Sequence, residues 1–154
     1  MKLERTDRYR LHAGSSSCSA VAPGGACHFV APATHRIPKL YIASRKGVPI
    51  YIGITSQPMS ARLRMGLRAD GQHGYHGYRW RGQRDLDLDI WYLDDAPAGT
   101  AARELECIEA EVVFLTRQRF DQWPEFQTEI HFHASQKFHR DAAERIFEHL
   151  AKNA

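Results

Sequence analysis

From Lys39 to Thr55 the chain reads KLYIASRKGVPIYIGIT, two β-rich runs, KLYIAS and VPIYIGIT, around a short turn, which predicts a hairpin. Pro58, at a first helical position, then opens PMSARLRMGLRA, where Met59, Leu63 and Leu67 recur at helical spacing. Gly66 and Gly71 are expected to loosen the chain beyond it. LDLDIWYLDD sets Leu86, Leu88 and Ile90 against Asp85, Asp87 and Asp89, the period of a half-buried strand. After Gly99 and Thr100 a helix is predicted to about Phe120, its apolar stripe formed by Leu105, Ile108, Val112 and Leu115. Pro124 breaks the chain, TEIHFH reads as a last short strand, and Ser135 caps a helix to about Lys152 that carries Phe138, Ala142, Ile146 and Leu150 on one face. Residues 13 to 36, rich in Ala, Gly, Ser and Pro with little periodicity, read as an irregular arm in which CHFVAP is a candidate edge strand. The predicted order is β-β-α-β-α, then a short strand and a helix, without internal repeats.

A length of 154 residues fits one domain. Within it, 1–36 form the partly irregular arm, 37–133 the core and 134–154 a C-terminal helix packed on that core. The fold class expected is α/β in the α+β sense, a small central, mostly antiparallel sheet flanked by helices. With 43% hydrophobic and 25% charged residues the chain has a globular composition, and no run approaches the roughly 18 apolar residues of a membrane span. The start, MKLERTDRYRLHAG, has charges where a secretory signal has its apolar segment, so a cytoplasmic location is expected. Three cysteines, Cys18, Cys27 and Cys107, are too few and odd in number for a disulfide framework. The net charge of +3 hides an asymmetry: residues 1–84 hold 14 Lys/Arg against 3 Asp/Glu, and residues 85–154 hold 7 against 15. If that separation persists in space, the first half attracts a polyanion.

Several side chains are candidates for chemistry. Tyr41 and Tyr51 lie ten positions apart across the hairpin; they are either core aromatics or working phenols. An ordinary phenol pKa near 10 makes a poor base at neutral pH unless cations lower it, and Lys39, Arg45, Lys46, Arg62 and Arg64 supply cations nearby. Gly53 either marks a bulge or lets another chain or a phosphate approach the backbone. Arg62, at the helix start, suits a bidentate grip on phosphate. GQHGYHGYRWRG, Gly71 to Gly82, interleaves rings, glycines and cations as a nucleic-acid-binding loop does; otherwise Tyr75, Tyr78 and Trp80 pin it to the core. Within it His76 is the preferred proton carrier, His73 its competitor, and Arg79 and Arg81 are substrate contacts. Glu111, at the border of the helix stripe, is the expected metal carboxylate; Glu104, on the same side, is the candidate to assist it, and Glu109 is expected in solvent. Gln127, Glu129, His131 and His133 alternate onto one strand face, where the first three are expected to line the site. No Cys/His spacing completes a structural zinc set.

Tyr41 in KLYIAS, ten residues before Tyr51-Ile52-Gly53, followed by Arg62 on one helix and Glu111 on a later one, resembles the GIY-YIG nuclease family over about residues 38 to 130. Two departures stand out: Lys39-Leu40-Tyr41 replaces Gly-Ile-Tyr, and the family's late asparagine has Gln127 as its nearest counterpart. The resemblance implies a small sheet flanked by helices that cuts DNA with one divalent ion, Mg²⁺ or Mn²⁺. It assigns Tyr41 to the attacking water, Tyr51 and His76 to acid/base help, Arg62 to the phosphate and Glu111 to the metal, with Arg64 and Arg68 tracking the backbone. The expectation is therefore an endonuclease of DNA, RNA not excluded, with a targeting partner protein in place of a second module. A catalytically silent nucleic-acid-binding module and an interaction protein for an acidic partner are the alternatives.

Overall fold

The computed structural model describes residues 1–5, 8–14, 18–22, 24–25, 27–97 and 99–154. Six strands, β1 (Lys2–Arg5), β2 (Tyr9–Ala13), β3 (Cys18–Val21), β4 (Lys39–Arg45), β5 (Val48–Thr55) and β6 (Leu86–Asp94), form one antiparallel sheet. The spatial order is β3-β2-β6-β4-β5, with β1 and β2 paired to opposite ends of β6 along its side away from β4. Three helices cover the sheet: α1 (Met59–Arg68), α2 (Ala101–Phe120) and α3 (Lys137–Lys152). This is the α+β arrangement expected.

The hairpin closes through Lys46 and Gly47, both in left-handed backbone (φ 50° and 75°), which suits the twist of a two-residue loop. Its register pairs Tyr41 with Gly53 and Ala43 with Tyr51, so the two tyrosines share a face on neighbouring strands. On the opposite face Leu40, Ile42, Ile52, Trp91 and Leu93 meet Ile108 and Val112 of α2 and Ile146 and Leu150 of α3. On the tyrosine face Tyr41, Leu88 and Ile90 meet Met59, Leu63 and Leu67 of α1, with Tyr78 and Trp80 of the following loop packed among them. Apolar burial on both faces is the main driving force for this layering.

Several sequence expectations change. Before residue 37, β1 and β2 add strands that were not predicted, and β3 lies within the 13–36 stretch read as irregular; only Tyr9, Leu11 and Ala13 in YRLHA show an alternation, too short to stand out by pattern. CHFVAP forms no strand among its described residues. β6 is central and covered on both sides, so Asp89 is 0% exposed. Its carboxylate accepts hydrogen bonds from Arg8 Nη2 at 2.7 Å and pairs with His149 Nε2 at 3.0 Å, while Asp87 pairs with Arg10 at 3.3 Å. The sequential charge asymmetry is thus partly cancelled where arm arginines meet β6 aspartates. Finally, TEIHFH runs without strand pairing, and α3 is capped by Gln136, whose backbone N–H donates to His139 Nδ1, rather than by Ser135.

Gly66 was expected to loosen the chain, yet it lies inside α1 against the ring of Tyr78, whose backbone N–H donates to Gly66 O at 2.9 Å. A Cβ there would overlap the ring. Gly-to-Ala inside a helix normally stabilises by about 1 kcal/mol. Gly66→Ala is expected to do the reverse, losing about 1–3 kcal/mol in urea denaturation as Tyr78 is pushed off the helix.

Candidate functional site

A cleft of about 390 Å³ follows the free edge of β5, where Tyr51 and Arg62 meet Glu109 of α2 and Gln127 of the segment after it. One wall is aromatic and cationic. Tyr41 is 0% exposed; its hydroxyl lies 2.8 Å from that of Tyr78 and accepts a hydrogen bond from Arg62 Nε at 3.1 Å. Arg62 Nη1 donates to Tyr75 Oη at 2.7 Å, and the guanidinium lies over the rings of Tyr75 and Tyr78 at 5.7 and 5.3 Å. Among the described residues Arg62 makes no ion pair with a carboxylate. Phenols satisfy its donors without neutralising its charge, which leaves it attractive to an anion in the cleft. Burial opposes that charge, but Tyr41 and Tyr78 raise its pKa and keep it cationic.

Both motif tyrosines are pushed above the ordinary phenol range. Burial is the main cause in each; Tyr78 adds to it at Tyr41 and the Tyr41 hydroxyl adds to it at Tyr51, while Arg62 only partly opposes the shift. Tyr41 is therefore sealed from water and holds Arg62, instead of facing an attacking water. Tyr51, half-buried, is the motif tyrosine that lines the cleft, beside Tyr75 and Tyr78. Gly53 serves these rings: a Cβ there would lie 2.7 Å from the Tyr41 ring and 2.9 Å from that of Tyr51. The close approach that needs glycine is made by these two tyrosines, and Gly53 itself lines the cleft.

The opposing wall carries the largest correction. Glu109, expected in solvent, is 6% exposed and lines the cleft, whereas Glu111 does not reach it. Two residues on a helix turn the side chain by about 200°, so the two carboxylates leave α2 on different faces. Burial, with help from Glu106, pushes the Glu109 carboxyl up to about 8, against the lowering effect of Gln127. Gln127 Nε2 reaches Glu109 at 3.5 Å while the same amide clips the edge strand, accepting from Ile52 N at 2.9 Å and donating to Ile52 O at 3.0 Å. A signal for Glu109 existed: Leu105 precedes it by four and Val112 and Val113 follow by three and four, placing it inside the buried arc.

The remaining expected residues divide. Arg79, Glu129 and His131 line the cleft, the last two 3.5 Å apart, and Glu106 joins them while pairing with His133 at 2.7 Å. Arg81 is taken up by the backbone, donating to Tyr78 O at 3.0 Å and His76 O at 2.6 Å. His73 and His76 are exposed outside the cleft, with the His76 ring set against Gly71. Tyr75, by contrast, enters the site through Arg62. Arg64 and Arg68 border a separate groove of about 460 Å³ beside β3, near Cys18, Cys27 and His28. Lys39 gives its ammonium to the carbonyls of His35, Ile37 and Gln57 at 2.7–2.9 Å and brings no charge to the phenols. Glu104 is occupied by the buried His139 at 2.6 Å.

Among the described residues no group of three or more His, Cys, Asp or Glu side chains can hold a metal ion. Glu109 alone suits a hard cation: it is a buried oxygen donor with one long hydrogen bond. Such an ion would take its other ligands from water and substrate, as Mg²⁺ commonly does. Among the described residues no helix is long and apolar enough to cross a membrane. Comparison of the chain with family models, curated proteins and solved structures finds no match.

The raised Glu109 carboxyl has a consequence for stability. Between its ordinary 4.5 and about 8 the folded protein holds a proton that the unfolded chain releases, so this residue makes stability fall as pH rises through that window. Glu109→Gln is expected to remove the slope, gaining about 1–3 kcal/mol on the wild type between pH 5.5 and 8.5. Urea midpoints at the two pH values measure it.

Proposed function

We propose that the cleft hydrolyses phosphodiester bonds of nucleic acid, DNA first, in the manner of the GIY-YIG nucleases the motif resembles. The observation that carries this reading is the convergence of Tyr51, Arg62 and Glu109, from three separate elements, on one cleft beside a strand edge. Arg62 binds the scissile phosphate and stabilises charge gathering on its oxygens, its orientation fixed by Tyr41 and Tyr75. Tyr51 offers the cleft a hydroxyl that orients the attacking water by hydrogen bonding. Glu109 is the residue that would hold Mg²⁺ or Mn²⁺, which when bound supplies Lewis-acid stabilisation of the phosphate and leaving oxygens. Occupation requires Glu109 to lose its proton, so metal affinity rises with pH.

Glu106 and Glu129 oppose a polyanion at this wall, and Glu109 joins them only once it has lost its proton. Nucleic-acid binding in the cleft is accordingly strengthened by divalent ions, while the Arg62 wall makes it weaken with salt.

Purified protein incubated with plasmid and oligonucleotides in Mg²⁺, Mn²⁺ or EDTA tests the proposal. Cleavage is expected only with metal, and Arg62→Ala and Glu109→Gln should each lower it at least about 100-fold. Tyr51→Phe should lower it about 10–100-fold, while Glu111→Gln should stay within about twofold of wild type. Metal-dependent binding without any cleavage would assign the chain to the silent binding module. Full activity in Glu109→Gln would remove the metal assignment.

A further inference from the structure

Trp123 and Phe132 are 56% and 80% exposed, and they flank a small groove floored by Val113 and Ile130 and bordered by Gln127 and Thr128. Its volume is about 210 Å³, and no acidic or basic side chain lines it. Two large rings left in water beside an apolar slot point to a ligand with apolar faces.

The groove adjoins the cleft. Gln127 and Thr128 border both. On α2, Glu106 and Glu109 face the cleft and Val113 faces the groove; the spacings of three and four residues put them along one side of the helix. From Glu109 to the groove floor is about one helical turn, roughly 5.4 Å along the axis. A strand that crosses the cleft past Glu109 therefore has a base about one helical turn from the groove between Trp123 and Phe132.

We propose that this groove is a stacking site for an unpaired nucleobase next to the phosphate in the cleft. It rests on the nucleic-acid reading of the cleft and narrows it: the preferred substrate has a single-stranded segment, such as a flap, gap or end, at the cleaved position. A base in a duplex is already stacked on both faces and cannot enter. Stacking on aromatic side chains accepts any base, so the site selects strandedness rather than sequence. A second copy of the chain is the less suitable occupant. Two partly exposed rings, each burying at most about 150–250 Å², fall short of the about 800 Å² per partner of a stable interface.

Fluorescence tests this directly. Trp80 and Trp91 are 0% and 2% exposed, so contact quenching by a base reports on Trp123. In EDTA, a single-stranded oligonucleotide is expected to quench the emission, and a blunt duplex or an abasic strand of equal length is not. Trp123→Ala and Phe132→Ala should each weaken single-strand binding about tenfold, followed by anisotropy of a labelled oligonucleotide. Both should leave metal-dependent cleavage of duplex DNA within about twofold. Equal affinity for abasic and natural strands, or unchanged affinity in both variants, overturns the stacking site. So does a concentration-dependent dimer that Trp123→Ala disperses, which would assign the rings to self-association. The two readings fail separately: quenching of the wild type that is lost in Phe132→Ala, without any cleavage by wild type, keeps the stacking site and removes the nuclease, whereas duplex cleavage without quenching does the opposite.

Discussion

The guanidinium of Arg62 is held by phenols and not by an acid, and the architecture of the cleft depends on that choice. A carboxylate in the place of Tyr41 or Tyr75 would fix the arginine equally well but cancel its charge. A hydroxyl fixes it and leaves the charge uncompensated. To make the hydroxyl of Tyr41 available, the fold places its ring over Gly53, meets it with Tyr78, and draws Tyr78 down onto α1 at Gly66. The loop, the helix and the hairpin are thus joined through a single aromatic cluster whose outward product is one oriented cation.

Across the cleft the constraint is reversed. Glu109 is kept in a poorly hydrated position with a single amide nearby, so its charged form is disfavoured until something positive arrives. Gln127 connects this wall to the first, because the amide that reaches Glu109 also pairs with the backbone of Ile52 at the free edge of β5. That pairing covers an edge that would otherwise be open to another chain. The cleft is bipolar, with a permanent positive wall and a conditionally negative one, and it shares Gln127 and Thr128 with an apolar groove carrying two exposed rings.

Much of this was legible in the sequence where a strong local signal existed. The Tyr41–Tyr51 hairpin, the helix after Pro58, and the long helices ending near Phe120 and Lys152 follow from turn chemistry and periodicity, and they form with little change. What was missed depends on neighbours distant in the chain. β1 to β3 have four or five residues each and gain order from pairing with β6 and with one another. Asp87 and Asp89 looked like a solvent face because alternation cannot reveal that arginines and His149 will come to meet them. Glu111 was favoured over Glu109 by its place beside four apolar positions of α2, although the buried arc is wider and includes Val113 and Thr116. TEIHFH has a strand-like composition, but the edge it would join is already occupied by Phe126 and the Gln127 amide.

The space above Gly53 is filled by Tyr41 and Tyr51, so the tolerance of that position is set by its neighbours and not by strand geometry. An added methyl group overlaps both native rings, so shortening one still leaves the other to move aside. The three sites therefore behave as a linked set under mutation: room for a side chain at 53 requires both 41 and 51 to give way, and a sequence drifting away from this chemistry must change them together.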